Sequence, residues 1–212
     1  MENASLILAI FMMAPLGMML FVLNGRARTV GAFLLAGIFM ALFAGEIDGY
    51  ILSATSLSIE SVTENITPIV EEILKAIPVV FVAFLLKPDR ALLIECSVSV
   101  GIGFSLLENV YLFIQSPDVS VGWALIRGYG SGLMHAVCTL AIGYAMSYVI
   151  SKHKLFFTGS LAALSVSVIY HSIYNIIVQS EYSLFGILLP ICTYIPLLII
   201  LKRRNKIMAK EK

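Results

Sequence analysis

Seven long apolar blocks follow one another along the chain, and they limit its fold more than any other feature. The blocks are residues 5–23, 30–45, 66–86, 91–114, 123–150, 155–178 and 182–201. Most approach the roughly 20 residues that a helix needs to cross a bilayer, and none alternates as a transmembrane strand would. A soluble core could not absorb a composition of 59% apolar and 13% charged residues. We therefore predict an all-α, polytopic membrane protein with about seven transmembrane helices.

The basic residues predict the orientation of these helices. Twelve of the 14 Lys and Arg residues follow predicted helices 1, 3, 5 and 7: Arg26, Arg28, Lys87, Arg90, Lys152, Lys154, Lys202, Arg203, Arg204, Lys206, Lys210 and Lys212. The other connections hold Glu60, Glu64, Asp118 and Glu181 without Lys or Arg. By the positive-inside rule, the N-terminus is outside and residues 202–212 form a basic cytoplasmic tail. The expected location is a cell membrane, with the bacterial plasma membrane favoured.

The chain is predicted to form one domain over residues 1–212, because it contains neither a linker-like stretch nor an internal repeat. The first apolar block has no basic n-region or cleavage site and is expected to be a retained helix. Cys96, Cys138 and Cys192 lie inside apolar blocks, at spacings that suit neither a zinc knuckle nor a disulfide framework. We interpret all three as helix-packing residues.

Ionisable residues interrupt predicted helices 2 to 6 but not helices 1 and 7, so the motif-bearing core spans residues 66–178. The polar residues of this core are Glu71, Glu72, Lys75, Glu108, Asn109, Arg127, His135, His171, Tyr174 and Asn175. Because a charge at the bilayer centre costs at least about 2.5–3.5 kcal/mol, they are expected to face the bundle interior. At about 1.5 Å per residue, Glu71, Glu108 and His171 lie roughly 8–10 Å inside the outer ends of their helices. Glu46 and Asp48 of helix 2 reach a similar depth.

The residue types indicate hydrolytic chemistry. Two adjacent carboxylates such as Glu71 and Glu72 cannot both ionise freely in a low dielectric, so one of them suits general acid/base work. His135, His171 and Glu108 would also form a His2Glu site for zinc with a position left for water. The structural alternatives are an internal ion pair with Lys75 that fixes helix packing, and histidines that only make hydrogen bonds between helices.

Four of these segments resemble the motifs of PrsW-like intramembrane proteases, which are related to the CAAX prenyl proteases and bacteriocin-processing enzymes. The segments are Glu71-Glu72-Ile-Leu-Lys75, Phe104-Ser-Leu-Leu-Glu108-Asn109, Arg127 eight residues before His135, and His171-Ser-Ile-Tyr174-Asn175. The resemblance implies that Glu71 and Glu72 supply the general base and that Glu108 and His135 shape the water or metal site. It further implies that His171 completes this site and that Asn175 polarises the scissile carbonyl.

The resemblance also implies a membrane-anchored substrate that is cleaved near the outer face, the founding case in the family being an anti-sigma factor. Two alternatives remain open: a proton- or cation-coupled transporter, and a non-catalytic relative that binds a membrane peptide. The transporter is disfavoured because the chain shows neither an inverted repeat nor paired broken helices. The substrate, the oligomeric state, the need for zinc and the choice of base between Glu71 and Glu72 are not decided by the sequence.

Overall fold

Every secondary-structure element that the computed structural model describes is a helix; it describes residues 4–116, 119–150 and 153–210. The α-helices of these ranges are α1 (Ala4–Val22), α2 (Gly25–Ala54), α3 (Ile59–Ser61), α4 (Thr67–Phe81), α5 (Arg90–Gln115), α6 (Val121–Leu125), α7 (Gly132–Val149), α8 (His153–Gln179) and α9 (Phe185–Lys210). Three π-helical segments, Val62–Ile66, Val82–Leu86 and Ile126–Ser131, flank α4 and join α6 to α7. The all-α prediction is confirmed for the described chain.

Local sequence signals explain where several helices begin and end. Asp89 precedes α5, and its carboxylate accepts a hydrogen bond from the Leu92 N–H at 2.8 Å. Ser120 caps α6 in the same way, through the Trp123 N–H at 3.1 Å. Such caps satisfy amide groups that the first helical turn leaves without a partner. Lys87, at a positive φ of 42°, ends the π-helical segment Val82–Leu86.

Five helices of the described chain are long and apolar enough to cross a membrane. They are Ser5–Val22, Gly25–Ala54, Arg90–Gln115, Val121–Val149 and Leu155–Gln179. Large apolar side chains such as Phe21, Phe157 and Val121 are more than three-quarters exposed, as expected where lipid surrounds the helices. The chain is a multi-pass membrane protein.

Five of the seven predicted crossings correspond to these long helices. The third and seventh apolar blocks form shorter apolar helices. In the third block, α4 has 15 residues between π-helical segments and carries Glu71, Glu72 and Lys75. The seventh block corresponds to the apolar helix Phe185–Ile199. The backbone of the basic tail continues α9 as far as Lys210. Asp118, Lys152 and Lys212, which enter the predicted topology, lie outside the described residues.

Glycines allow α2, α5 and α7 to approach one another very closely. A Cβ atom at Gly37 of α2 would overlap the Val100 carbonyl of α5, and one at Gly103 of α5 would overlap the Leu34 carbonyl of α2. Gly101, also on α5, faces the backbone of α7 at His135 in the same manner. Small residues at such crossings are the usual way for membrane helices to gain contact, because lipid gives them no hydrophobic driving force.

The charged residues of α4 point into the bundle. Glu72 and Lys75 are fully buried and Glu71 is 5% exposed, while His135 of α7 and His171 of α8 are buried beside them. The apolar side chains around this centre include Phe104 and Leu107 of α5. The fold therefore surrounds a polar centre on α4 with α5, α7 and α8.

Candidate active site

The first element of the site is a buried ion pair within α4. The Lys75 ammonium donates a hydrogen bond to Glu72 Oε1 at 2.6 Å, whereas its distance to Glu71 Oε2 is 3.9 Å. The 3.6-residue helical repeat places residues 71, 72 and 75 on neighbouring positions of one face. Breaking a buried pair of this kind is costly, since the remaining charge stays in a low dielectric.

His171 of α8 is oriented by Glu72. The distance from His171 Nδ1 to Glu72 Oε1 is 2.8 Å. A carboxylate only accepts hydrogen bonds, so Nδ1 carries the proton and donates. The lone pair of the imidazole is thereby left on Nε2, which lies 3.8 Å from Glu71 Oε2. Glu72 thus fixes both the tautomer of His171 and the atom that it presents to Glu71.

His135 of α7 has partners at both ring nitrogens. Its Nε2 lies 2.7 Å from Glu108 Oε2, and its Nδ1 lies 2.7 Å from Lys75 Nζ. Because an ammonium has donors only, Nδ1 accepts from Lys75 and Nε2 donates to Glu108. The two imidazole rings meet edge to face, with centroids 5.1 Å apart. Each histidine therefore has one nitrogen on a carboxylate and the other towards the centre of the site.

Arg127 and Asn109 hold Glu108 in place. Arg127 Nη2 donates to Glu108 Oε1 at 2.5 Å, and Ser131 Oγ lies 3.4 Å from Glu108 Oε2. Asn109 bonds twice to Arg127: its amide donates to the Arg127 carbonyl at 3.1 Å and its oxygen accepts from Arg127 Nε at 3.2 Å. Hydrogen bonds therefore join Glu108, Asn109, Arg127 and His135 into one group.

Glu71 differs from Glu72 and Glu108 in accepting no side-chain hydrogen bond among the described residues. Glu71 Oε2 is buried and has no hydrogen-bond partner, yet Lys75 Nζ and His135 Nδ1 lie 3.9 Å away and His171 Nε2 lies 3.8 Å away. Buried polar atoms are nearly always hydrogen-bonded. Oε2 thus marks a place where a water molecule or an ion would complete the site.

Asn175 and Tyr174 bind backbone carbonyls of π-helical segments. Asn175 Nδ2 donates to the Thr63 carbonyl at 2.9 Å, and the Tyr174 hydroxyl donates to the Ile126 carbonyl at 3.3 Å. A π turn interrupts the regular helical ladder and is often found at functional sites. Both side chains fasten α8 to π-helical segments of the chain.

A comparison with protein families identifies the chain. The model of the PrsW family intramembrane metalloproteases matches residues 7–201, which is nearly the whole sequence. The chain belongs to the PrsW family. Comparisons with curated proteins and with solved structures gave no match. The family assignment agrees with the resemblance in the four motifs and makes this PrsW protein an intramembrane protease by class.

A metal ion, which the family description implies, fits the residues of this PrsW site. One ligand atom each of Glu71, His135 and His171 lies within 4.8 Å of the others, and two imidazoles with a carboxylate are a common zinc set. Glu72 and Glu108 bond the other nitrogens of His171 and His135, which is how proteins usually orient metal-binding histidines. The unpartnered Glu71 Oε2 supports the same fit.

The ligand set of this PrsW site differs in one residue from the set expected from sequence. Sequence spacing favoured Glu108 with the two histidines, but the structure groups Glu71 with them and places Glu108 behind His135, on Arg127. Sequence reasoning also missed the contact between Lys75 and His135. Lys75 lies one turn from Glu71, so their shared face was visible, but the approach of α7 to that face was not.

The remaining candidates surround the PrsW site without joining it. Asp48 Oδ2 accepts from the Thr67 hydroxyl at 2.8 Å, and Glu46 is exposed and accepts from Ser5 at 3.2 Å. Cys138 lies 3.7 Å from the Met134 sulfur and 3.5 Å from the Ser167 carbonyl. These contacts agree with a packing role for Cys138.

Proposed function

We propose that this protein hydrolyses a peptide bond of a membrane-anchored protein near the outer face of the membrane. The observation that carries the proposal is the buried Glu71 Oε2, which lacks a hydrogen bond and faces His171 Nε2 at 3.8 Å. A carboxylate and an imidazole with a free lone pair, facing one point inside a membrane protein, suit the activation of a water molecule. Membership of a protease family supports the same reaction class.

In the proposed site Glu71, His135 and His171 would hold zinc. Bound there, zinc would supply Lewis acidity towards the carbonyl and lower the pKa of water. Glu71 would bind the ion through one carboxylate oxygen and act as the base through the other. It takes a proton from the attacking water while the water oxygen bonds to the carbonyl carbon, and it passes this proton to the leaving amine when the C–N bond breaks. Glu72 and Glu108 hold the two imidazoles in orientation, and Arg127 holds Glu108. Asn175 donates to the carbonyl oxygen as negative charge develops on it.

The proposed topology has seven crossings, with α4 and α9 added to the five long helices, the N-terminus outside and the 202–212 tail in the cytoplasm. It is supported by the positions of the Lys and Arg residues and puts the site in the outer half of the bilayer. We propose a single domain in a bacterial plasma membrane and a single-span substrate, with anti-sigma factors as one candidate class.

The proposal is tested by comparing membrane proteomes of cells that express the wild type, Glu71→Gln or, as a control, Glu46→Gln. Glu46 is exposed and bonds only to Ser5 among the described contacts. The wild type and the control should both generate a new N-terminus near the outer face of a single-span protein, and Glu71→Gln should not. Identical termini in all three would reject proteolysis that depends on Glu71. Glu71-dependent cation flux without cleavage would favour the transporter.

A further inference from the structure

The contact between Lys75 and His135 conflicts with the proposed zinc ligands. Lys75 is fully buried and lies between Glu72 Oε1 at 2.6 Å, His135 Nδ1 at 2.7 Å and the Phe104 ring at 4.7 Å from its centroid. Of the two His135 nitrogens, Nδ1 is the one that faces Glu71, because Nε2 bonds to Glu108. The ammonium therefore bonds to the nitrogen that a metal ion would need.

One lone pair cannot serve both partners. An imidazole nitrogen without a proton has a single lone pair in the ring plane, which either accepts a hydrogen bond or binds a metal. The charges oppose a shared arrangement as well, since an ammonium and a divalent cation a few ångströms apart repel strongly in a buried site. Zinc can bind His135 only after the Lys75 ammonium has moved off Nδ1.

We propose that Lys75 and the metal ion are alternative partners of His135 Nδ1, so that Lys75 sets the metal affinity of the site. This inference rests on the proposed zinc site. The structure also offers the displaced ammonium a new acceptor, because Glu72 Oε2 is buried without a hydrogen-bond partner. A lysine stem is flexible enough to exchange one carboxylate oxygen for the other. Lys75 would then keep its ion pair with Glu72 while it releases His135.

The exchange lowers the apparent affinity for zinc. A ligand that binds a minor conformer has its apparent affinity reduced by the fraction of protein in that conformer. If the lysine-free form is about 1–10% populated, removal of Lys75 should tighten zinc binding about 10- to 100-fold. Lys75 would also neutralise the buried carboxylates before the metal arrives, so the site would fold without the metal.

Zinc titration of chelator-treated protein in detergent tests the inference, with a competing dye as the readout. Lys75→Met should bind zinc at least about tenfold more tightly than the wild type. The control Arg90→Met removes a cation outside the site, where Arg90 stacks on Tyr148, and should bind like the wild type. Adding His171→Ala to Lys75→Met should abolish the gain.

If folded Lys75→Met protein binds zinc no more tightly than the wild type does, the inference is wrong. If the wild type itself binds zinc tightly, the proposed zinc site still stands. Failure of every protein to bind zinc would reject both. Lys75→Gln, which keeps a donor for Glu72 without the charge, replaces Lys75→Met if that variant does not fold. A structure of the zinc-loaded wild type tests the exchange independently. If Lys75 Nζ is still within hydrogen-bond distance of His135 Nδ1 in that structure, the exchange does not occur.

Discussion

Two adjacent glutamates of α4 have opposite surroundings. Glu72 accepts hydrogen bonds from both Lys75 and His171 through Oε1, at 2.6 and 2.8 Å, whereas Glu71 accepts none among the described residues and has Lys75 and His171 at 3.9 and 3.8 Å. A carboxylate that binds two side chains positions them, and one that binds none is available to act on a substrate or bind an ion. At the scale of single residues, Glu71 is therefore assigned to chemistry and Glu72 to orientation.

Replacing each glutamate with glutamine should separate these roles. Glu71→Gln should lower the cleavage rate at least about 10²-fold, since the proton acceptor is lost, while the melting temperature in detergent stays close to that of the wild type. Glu72→Gln should lower both, because it breaks a buried pair at a cost of about 3–5 kcal/mol. Cleavage of a single-span reporter and thermal melting give the two readouts. A Glu71→Gln protein with full activity per folded molecule would exclude Glu71 from the site.

The sequence predicted the members of the site better than their contacts. Glu71, Glu72, Lys75, Glu108, Arg127, His135 and His171 were all expected, because ionisable residues inside apolar helices are costly and must face the interior. Which carboxylate joins the histidines depends on how α5 and α7 cross α4, and helix periodicity carries no information about that crossing. The roles of these residues stay predictions until variants are measured.

At the scale of helices, the π-helical segment Val62–Ile66, which precedes α4, also contacts α8. The Thr63 carbonyl accepts from Asn175, and the Thr63 hydroxyl lies 3.4 Å from Gln179 Oε1. Asn175 is thus engaged with this segment, whereas the sequence predicted it to bind the substrate carbonyl. Both roles are compatible, because the Asn175 amide nitrogen has two N–H donors and the Thr63 carbonyl accepts only one of them.

Asn175→Ala and Gln179→Ala distinguish the two roles. Both variants loosen the attachment of Val62–Ile66, but Asn175→Ala alone also removes the proposed oxyanion donor. We expect Asn175→Ala to lower the rate about 10²–10³-fold, the usual effect of losing one such donor, and Gln179→Ala to have a much smaller effect. Rates of reporter cleavage at saturating substrate measure both. Similar losses in the two variants would limit Asn175 to holding the segment.

The close contact between α2 and α5 gives a second prediction at this scale. Gly103→Ala should destabilise the protein by about 1–3 kcal/mol, because its methyl group would meet the Leu34 carbonyl, which is backbone and cannot rotate away. Gly45→Ala in α2 is the matched control, since no atom lies within 4 Å of its added Cβ, and it should be neutral or slightly stabilising. Thermal melting in detergent compares them, and an unaffected Gly103→Ala protein would contradict the contact.

At the scale of the whole molecule, hydropathy predicted the helices well, and the all-α, multi-pass architecture followed from it. Block lengths alone could not show that the third block would end in the π-helical segment Val82–Leu86, or that another such segment, Val62–Ile66, would precede α4. Orientation in the membrane rests on charge distribution alone.

Cysteine labelling in intact cells tests that orientation. Ser56→Cys, in the connection after α2, should react with a membrane-impermeant maleimide from outside, and Lys87→Cys should react only after lysis. Both are made in a Cys192→Ala background, since Cys192 is exposed while Cys96 and Cys138 are buried. Labelling of Lys87→Cys in intact cells, with protection of Ser56→Cys, would reverse the topology.

The glycine contacts of α2, α5 and α7 also restrict how a substrate reaches the polar centre from the surrounding lipid. Backbones in direct contact leave no side chains to swing aside, so that wall of the bundle stays closed. The Glu72 side chain of α4 bonds to His171 of α8, and Asn175 of α8 bonds to the Thr63 carbonyl in the segment Val62–Ile66 that precedes α4. A polypeptide that parts these two helices disturbs the orientation of His171 as it arrives. We therefore expect a substrate to enter between α4 and α8, and cleavage to require the Glu72–His171 bond to form again around the bound segment.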